Sequence, residues 1–521
     1  MNRLVPILAA SLTLIVAAPA RAQAPTATRR TSGSVTAAVN AITADDIARR
    51  IGVIAHDSMR GRDTPSPELE EVATYIAAEF RRFGLRPAGD SGSYLQRYGI
   101  VRKAVDTART RVVLTGPTTT TLKAGVDVNL VRFGPLPDRE VVGPIVLFTG
   151  PTDSSNPLGG VDVRGAWVAQ ALTASPQGVQ LDQHLATTAF QSGAAGLLII
   201  TNRPDAQWQN RLSRVTAPLV TLEGVGGDPA PVIVEIRDET AVRLFGLDVA
   251  AARAATRHAT RRLEGFTLSF RPVERVVSRV TAPNVVGVVE GSDPTLKNEY
   301  LVYSAHMDHV GVAGTGSGCS AVGADSICNG ADDDASGTIA VVEAAESFAM
   351  LQPRPKRSIM FLTVSGEEKG LWGSAYFADH LPIPANQIVA NLNLDMVGRN
   401  WKDTIAVIGK EHSDLGSTLN RVAAAHPELR MQPIDDIWPQ ENFYFRSDHY
   451  NFARKGIPIL FFFNGTHPDY HQPSDHPSAI DAEKEARIVQ LVFYLGLEVA
   501  NAAERPKWNP ESYRRIVEAT N

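Results

Sequence analysis

From residue 263 onward, short apolar runs alternate with amphipathic stretches of helical period, and few folds accept that rhythm. "NVVGVVEG", "YLVYSAHMD", "SIMFLTVSGEE", "VANLNLDMVG" and "IPILFFFNG" read as strands. Helices are expected over 336–349, from Leu371 and over 483–502. Alternating strands and helices define an α/β fold in which helices sandwich a mixed, largely parallel sheet. Three of these strands run straight into chemistry: "LVYSA" into His306-Met307-Asp308-His309, "IMFLTV" into Glu367-Glu368, and "VANLNL" into Asp395. In such sheets ligands gather at the carboxyl ends of the strands, so His306, Asp308, Glu367, Glu368 and Asp395 are expected along one edge.

The remainder of the chain divides by texture. Residues 43–83 carry a helical pattern, with Ser66-Pro67 as a start signal, acids in the first turn and Gly84 as a stop. Residues 117–256 change to short strands and turns, the mark of a smaller β-rich unit inserted between 43–116 and 257–505; 506–521 read as a tail. At the start, Arg3, the apolar run from Leu4 to Ala18 and Ala20-Arg21-Ala22 have the form of a cleavable signal peptide over 1–22, and 23–42 a flexible segment. The run is short for a membrane span, so the mature chain is expected to be exported, periplasmic or secreted, without a membrane anchor. An oxidising compartment would let Cys319 and Cys328, the two cysteines, close a small disulfide loop. A net charge of -5, with both signs interspersed, argues against nucleic acid as a partner.

Between the first two acid-bearing strands lies "SICNGADDDASG", where Asp332, Asp333 and Asp334 stand side by side. Singly, each feature has an ordinary reading: an HxD as a hydrogen-bonded histidine, a Glu-Glu as a solvated turn, the aspartates as a loop or a calcium site. Jointly they crowd carboxylates on one edge with few bases, and divalent cations are the simplest remedy. Calcium does not account for the histidines.

The stretches "HMDHVG", "NGADDDASG", "SGEEKGLWGSAYF", "NLNLDMVG", "SDHYNFARKGIP" and "HPDYHQPSD" resemble, in this order, the motifs of the secreted co-catalytic di-zinc aminopeptidases of metallopeptidase family 28. "GAAGLLIITN" resembles the protease-associated domain often inserted in that family. The resemblance implies the zinc exopeptidase fold and two Zn2+ per chain. His306 and Asp395 would hold one ion, Glu368 and His471 the other, and Asp333 would bridge both. It further implies a cis peptide after Asp333, with Asp332 and Asp334 as neighbours whose charge the ions tolerate. His467 and His476 also lie near, but the family pattern of a Tyr-His followed four residues on by an Asp, here Tyr470-His471 and Asp475, implies His471.

The ligand types suit zinc, which makes water a nucleophile near neutral pH. Glu367, beside a ligand, is the expected general base, and Asp308 is expected to orient His306. By resemblance to two branches of the family, Tyr444, three residues before Ser447-Asp448, and Tyr470 are both candidates to stabilise the oxyanion, with Tyr444 preferred. "ILFFF" (459–463) reads as a buried strand ahead of a pocket wall. The expected substrates are peptides with a free N-terminus. A carboxypeptidase or dipeptidase on the same scaffold, a single-zinc glutaminyl cyclase relative and a metal-free binding protein are the alternatives.

Overall fold

The computed structural model describes residues 34–131, 134–152, 155–175, 178–224, 231–314 and 318–519. The signal-peptide reading therefore lies outside the described residues. Among the described residues, no helix is long and apolar enough to cross a membrane.

The main sheet has ten strands. Its centre is four parallel strands, in the order Ser358–Val364, Tyr300–His306, Ile388–Leu394 and Ile459–Phe462. Antiparallel strands flank this centre, Glu274–Val289 on one side and Thr404–Ile408 on the other. The central strands are buried along their whole length. Their side chains alternate between two cores because successive residues of a strand point to opposite faces. Leu301, Tyr303 and Ala305 face one core with the helices Ala44–Ile54, Pro67–Phe83, Gly337–Met350 and Ala482–Asn501. Tyr300 and Val302 face the other, where Phe377, Phe452 and Ile516 pack. Mixed α/β, with helices on both faces of a largely parallel centre, is the class the alternation required.

Local signals place the helices. The Ser66 hydroxyl accepts the Leu69 N–H at 3.0 Å, Pro67 opens the helix and Gly84 ends it. Thr43 caps Ala44–Ile54 in the same way. Two expectations of looseness do not hold. Residues 34–42, read as flexible, include the helix Val35–Val39, whose Ala38 and Val39 are buried. The C-terminal tail docks too, burying Ile516 and Val517 in the second core.

A second, eight-stranded sheet has its own core around Trp167, Val234 and Phe270. Its strands include Arg111–Thr115 and Ala259–Arg271, so it reaches beyond 117–256 at both ends. Conversely, Leu219–Leu222 leaves it and pairs antiparallel with Leu95–Val105 at the edge of the main sheet. The long strands Leu95–Val105 and Glu274–Val289 pair with one another and carry the chain between the two sheets. The Cys319–Cys328 disulfide is formed.

Candidate metal centre

Parallel pairing delivers the expected residues to one place. His306 stands in register with Val364, two residues short of the Gly366 turn that bears Glu367 and Glu368. Asp395 follows the neighbouring strand, and its N–H bonds to the Phe462 carbonyl. His471 comes from the loop beyond Ile459–Phe462, and the aspartate loop closes the group from the side.

The three aspartates have three different jobs. Asp334 accepts the backbone N–H groups of Gly337 (2.9 Å) and Met396 (3.1 Å) on one oxygen and that of His306 (3.1 Å) on the other. Asp332 accepts Gly398 N–H at 2.7 Å and the Ser336 hydroxyl at 3.1 Å, and its second oxygen lies 3.2 Å from His467 Nε2. Both are buried and bind backbone, so they join loops together rather than merely being tolerated. Asp333 alone faces the other donors, and the Asp333–Asp334 peptide is cis. Arg62, fully buried, fixes this loop by donating to the carbonyls of Met307 (2.8 Å), Asn329 and Gly330 (2.6 Å).

Two donor groups share Asp333. In the first, His306 Nε2 lies 3.3 Å from Asp333 Oδ1 and 3.6 Å from Asp395 Oδ1. In the second, His471 Nε2 lies 3.1 Å from Asp333 Oδ2 and 3.2 Å from Glu368 Oε2. His309 joins this group, its Nδ1 2.9 Å from Glu368 Oε1 and 3.6 Å from Asp333 Oδ2. Donors about 2.0–2.1 Å from a tetrahedral zinc stand about 3.3–3.4 Å from each other, and these separations straddle that edge. Several of the atoms, among them Glu368 Oε1, His471 Nε2 and both nitrogens of His309, are buried without a hydrogen-bond partner. Orphaned donors at tetrahedral spacing, converging from five chain segments, fit a pair of zinc ions.

In the metal-free protein, charge is balanced by protons. Burial works against protonation of His471, but the Asp333 and Glu368 carboxylates outweigh it and push the ring up to about 10. His306 is likewise raised well above its ordinary range, against burial, chiefly by Asp395. Burial and Asp333 act to raise Glu368, yet His309 and His471 hold it at about 2. Burial lifts the Glu367 carboxyl well above the usual range, against the pull of His306, with Glu368 and Asp448 adding to the shift.

The remaining expected residues are distributed unevenly. Glu367 lines the cavity over the first donor group, together with His306, Asp333, Asp395 and Tyr470. Asp308 approaches His306 Nδ1 through its carbonyl (3.2 Å) more closely than through its carboxylate (3.6 Å). The carboxylate accepts the Thr64 hydroxyl at 2.8 Å and the Glu367 N–H at 3.3 Å, tying the base to the His306 strand. Tyr470 stacks on His471 with ring centroids 3.9 Å apart. Tyr444, the preferred tyrosine in the sequence, is instead buried edge-on against His412 and His449 and is not among the cavity-lining residues. Three residues before Ser447 in a short turn, its ring is drawn into the apolar core. His467 is taken by Asp332 and His476 lies near Asp325, leaving His471 as the histidine of this loop at the donors. The "ILFFF" strand serves both readings: Leu460 and Phe462 fill one core, while Phe461 and Phe463 line the cavity.

Sequence reasoning passed over His309, Arg62, Thr64 and Ser447. Ser447 donates to Asp395 Oδ2 at 2.8 Å and so fixes that carboxylate. The signal for His309 was present in "HMDHVG"; for Arg62 and Thr64 it was not, since their partners lie more than 240 positions away.

Residues 284–496 match the model of peptidase family M28. Aminopeptidase YwaD of Bacillus subtilis is 27% identical over 237 residues, covering 44% of this chain and 47% of that protein. A probable zinc metalloprotease of Pyricularia oryzae is 31% identical over 270 residues, covering 46% and 49%. The matches thus span about half the length of these curated relatives. The aminopeptidase from Aneurinibacillus sp. strain AM-1 has the same fold, with a TM-score of 0.50 and 19% identity over 91% of this chain and 97% of that one.

Proposed function

We propose that this protein is an exported exopeptidase that removes N-terminal residues from peptides at a centre of two zinc ions. The carrying observation is the shared carboxylate: Asp333 presents one oxygen to the His306–Asp395 pair and the other to Glu368 and His471. Zinc at such a centre supplies Lewis acidity and lowers the pKa of the attacking water to about 7.

The chain's own residues do the rest. Glu367 takes a proton from the water and returns it to the leaving amine, from its place in the cavity beside His306, Asp333 and Asp395. The Asp308 carboxylate holds the Glu367 backbone, and Ser447 holds Asp395. Tyr470 lines the same cavity, with its ring stacked on His471. It is the hydroxyl available to the developing oxyanion. Phe461 and Phe463 give the cavity an apolar wall for a side chain. By likeness to the protease-associated domain, the second sheet is an accessory unit.

A carboxypeptidase reading has one observation in its favour. Arg446 is the basic side chain among the cavity-lining residues and could pair with a C-terminal carboxylate. It already lies over the Phe443 ring at 4.8 Å and 3.6 Å from Glu441, and the named aminopeptidase relatives weigh on the other side. Zinc-loaded protein is offered unblocked, N-acetylated and C-amidated peptides. Turnover of the unblocked and C-amidated forms, none of the acetylated form, and loss of about 100-fold or more in Glu367→Gln with metal retained is the expected result. Cleavage of acetylated peptides that C-amidation abolishes would move the assignment to a carboxypeptidase.

A further inference from the structure

His309 is absent from the ligand set that the motif resemblance implies, and its surroundings give it no other task. It is fully buried, and its Nδ1 is turned to the same space as His471 Nε2, Asp333 Oδ2 and Glu368. Although Nδ1 is 2.9 Å from Glu368 Oε1, neither ring nitrogen makes a hydrogen bond of ordinary geometry. A histidine serving only to orient a carboxylate would aim its N–H at it. The ring is also held in place. It stands edge-on to His471 with centroids 5.4 Å apart, and Gly330 (φ +59) backs it so closely that a Cβ there would sit 2.4 Å from His309 Cγ.

We infer that His309 is a direct ligand of the ion held by Asp333, Glu368 and His471, so that this position is closed by four protein side chains while the His306 position has three. The inference rests on the two-zinc reading above. A zinc position with four protein ligands is closed and retains its ion; one with three keeps a place for water or substrate. The two ions therefore have different roles. The ion at His309 and His471 is a tightly held anchor, and the ion at His306 and Asp395, beneath Glu367, is the open and exchangeable one.

Two measurements on the full chain test this. Zinc K-edge absorption of wild-type protein carrying one equivalent of zinc should report two imidazoles on the metal, from His309 and His471. One imidazole overturns the inference. Graded chelation followed by metal analysis should release the ions in two steps separated by more than about 100-fold in affinity, since loss of an outer-shell partner alone costs only about 10–100-fold. In His309→Gln the steps should merge. An amide can still donate to Glu368, so a merely positioning histidine would be rescued by Gln, with the tight step kept to within about tenfold, and that result also overturns the inference. Wild-type protein that binds two zincs equally, with one imidazole each, would sink the inference and leave the two-zinc reading standing. Protein that binds no zinc would sink both.

Discussion

At the scale of single residues, His449 couples the stability of the fold to pH. Its Nε2–H donates to the Tyr444 carbonyl at 2.8 Å, the ring stacks on Phe461, and Nδ1 is buried without an acceptor. A proton on Nδ1 would have no partner, and burial depresses the ring to about 3. The unfolded chain protonates near 6.5. The neutral ring thus stabilises the fold above that pH, and this contribution is lost as pH falls through the window from 6.5 towards 3. Between pH 6.5 and 5 the loss is about 2 kcal/mol, at about 1.4 kcal/mol per unit. Denaturant unfolding of metal-free protein at pH 7 and 5 should give His449→Gln a shallower acid dependence than wild type by that amount. Equal slopes in the two proteins would refute it.

The candidate donors His306, Glu368 and Asp395 stood out in the sequence because each lies at the end of a strand or within a few positions of it, and contiguous motifs preserve such spacing. Arg62 and Ser447 did not, since what matters is which carbonyl or carboxylate they meet after folding. Tyr444 misled for the same reason: its place beside Ser447 in the chain says nothing of which way the ring turns.

At the scale of elements, the site depends on how closely the helix Gly337–Met350 approaches the strand Ile388–Leu394. Strand ends and helix starts were readable from period and caps, but this distance was hinted at only by the small residues of "ASG". A Cβ on Gly337 would lie 2.2 Å from the Leu394 carbonyl and 2.4 Å from an Asp334 carboxylate oxygen. Neither can yield, as one is backbone and the other is bonded to Gly337, Met396 and His306. Gly337→Ala should therefore push the helix off the strand, costing about 1–3 kcal/mol as overpacking does, and displace Asp333 with its loop. Thermal unfolding and zinc affinity should fall together. A variant that melts early yet binds zinc like wild type would separate the loop from the helix and contradict this account.

At the scale of the molecule, the boundary between the two sheets was the least legible feature. Strand pairing is non-local, and nothing in "APLVTLEG" announces that Leu219–Leu222 crosses to the main sheet. The resulting architecture has a thermodynamic consequence. The donors come from the ends of four strands of the main sheet and from the aspartate loop before the helix Gly337–Met350, and none comes from the second sheet, which has separate cores around Trp167 and Val168. Ligand binding stabilises only the cooperative unit that forms the site, by about 2.7 kcal/mol for each ion at a free concentration 100 times its dissociation constant. Calorimetry should resolve two transitions, because each sheet has its own core and the covalent link is a two-stranded ribbon. Chelation should lower the main-sheet transition by several degrees and leave the other in place. The Leu219–Leu222 strand works against this independence, since it belongs to one sheet while its flanking chain belongs to the other. If that strand dominates, both transitions will move together on chelation, and the second sheet is then a structural part of the peptidase unit rather than an inserted domain.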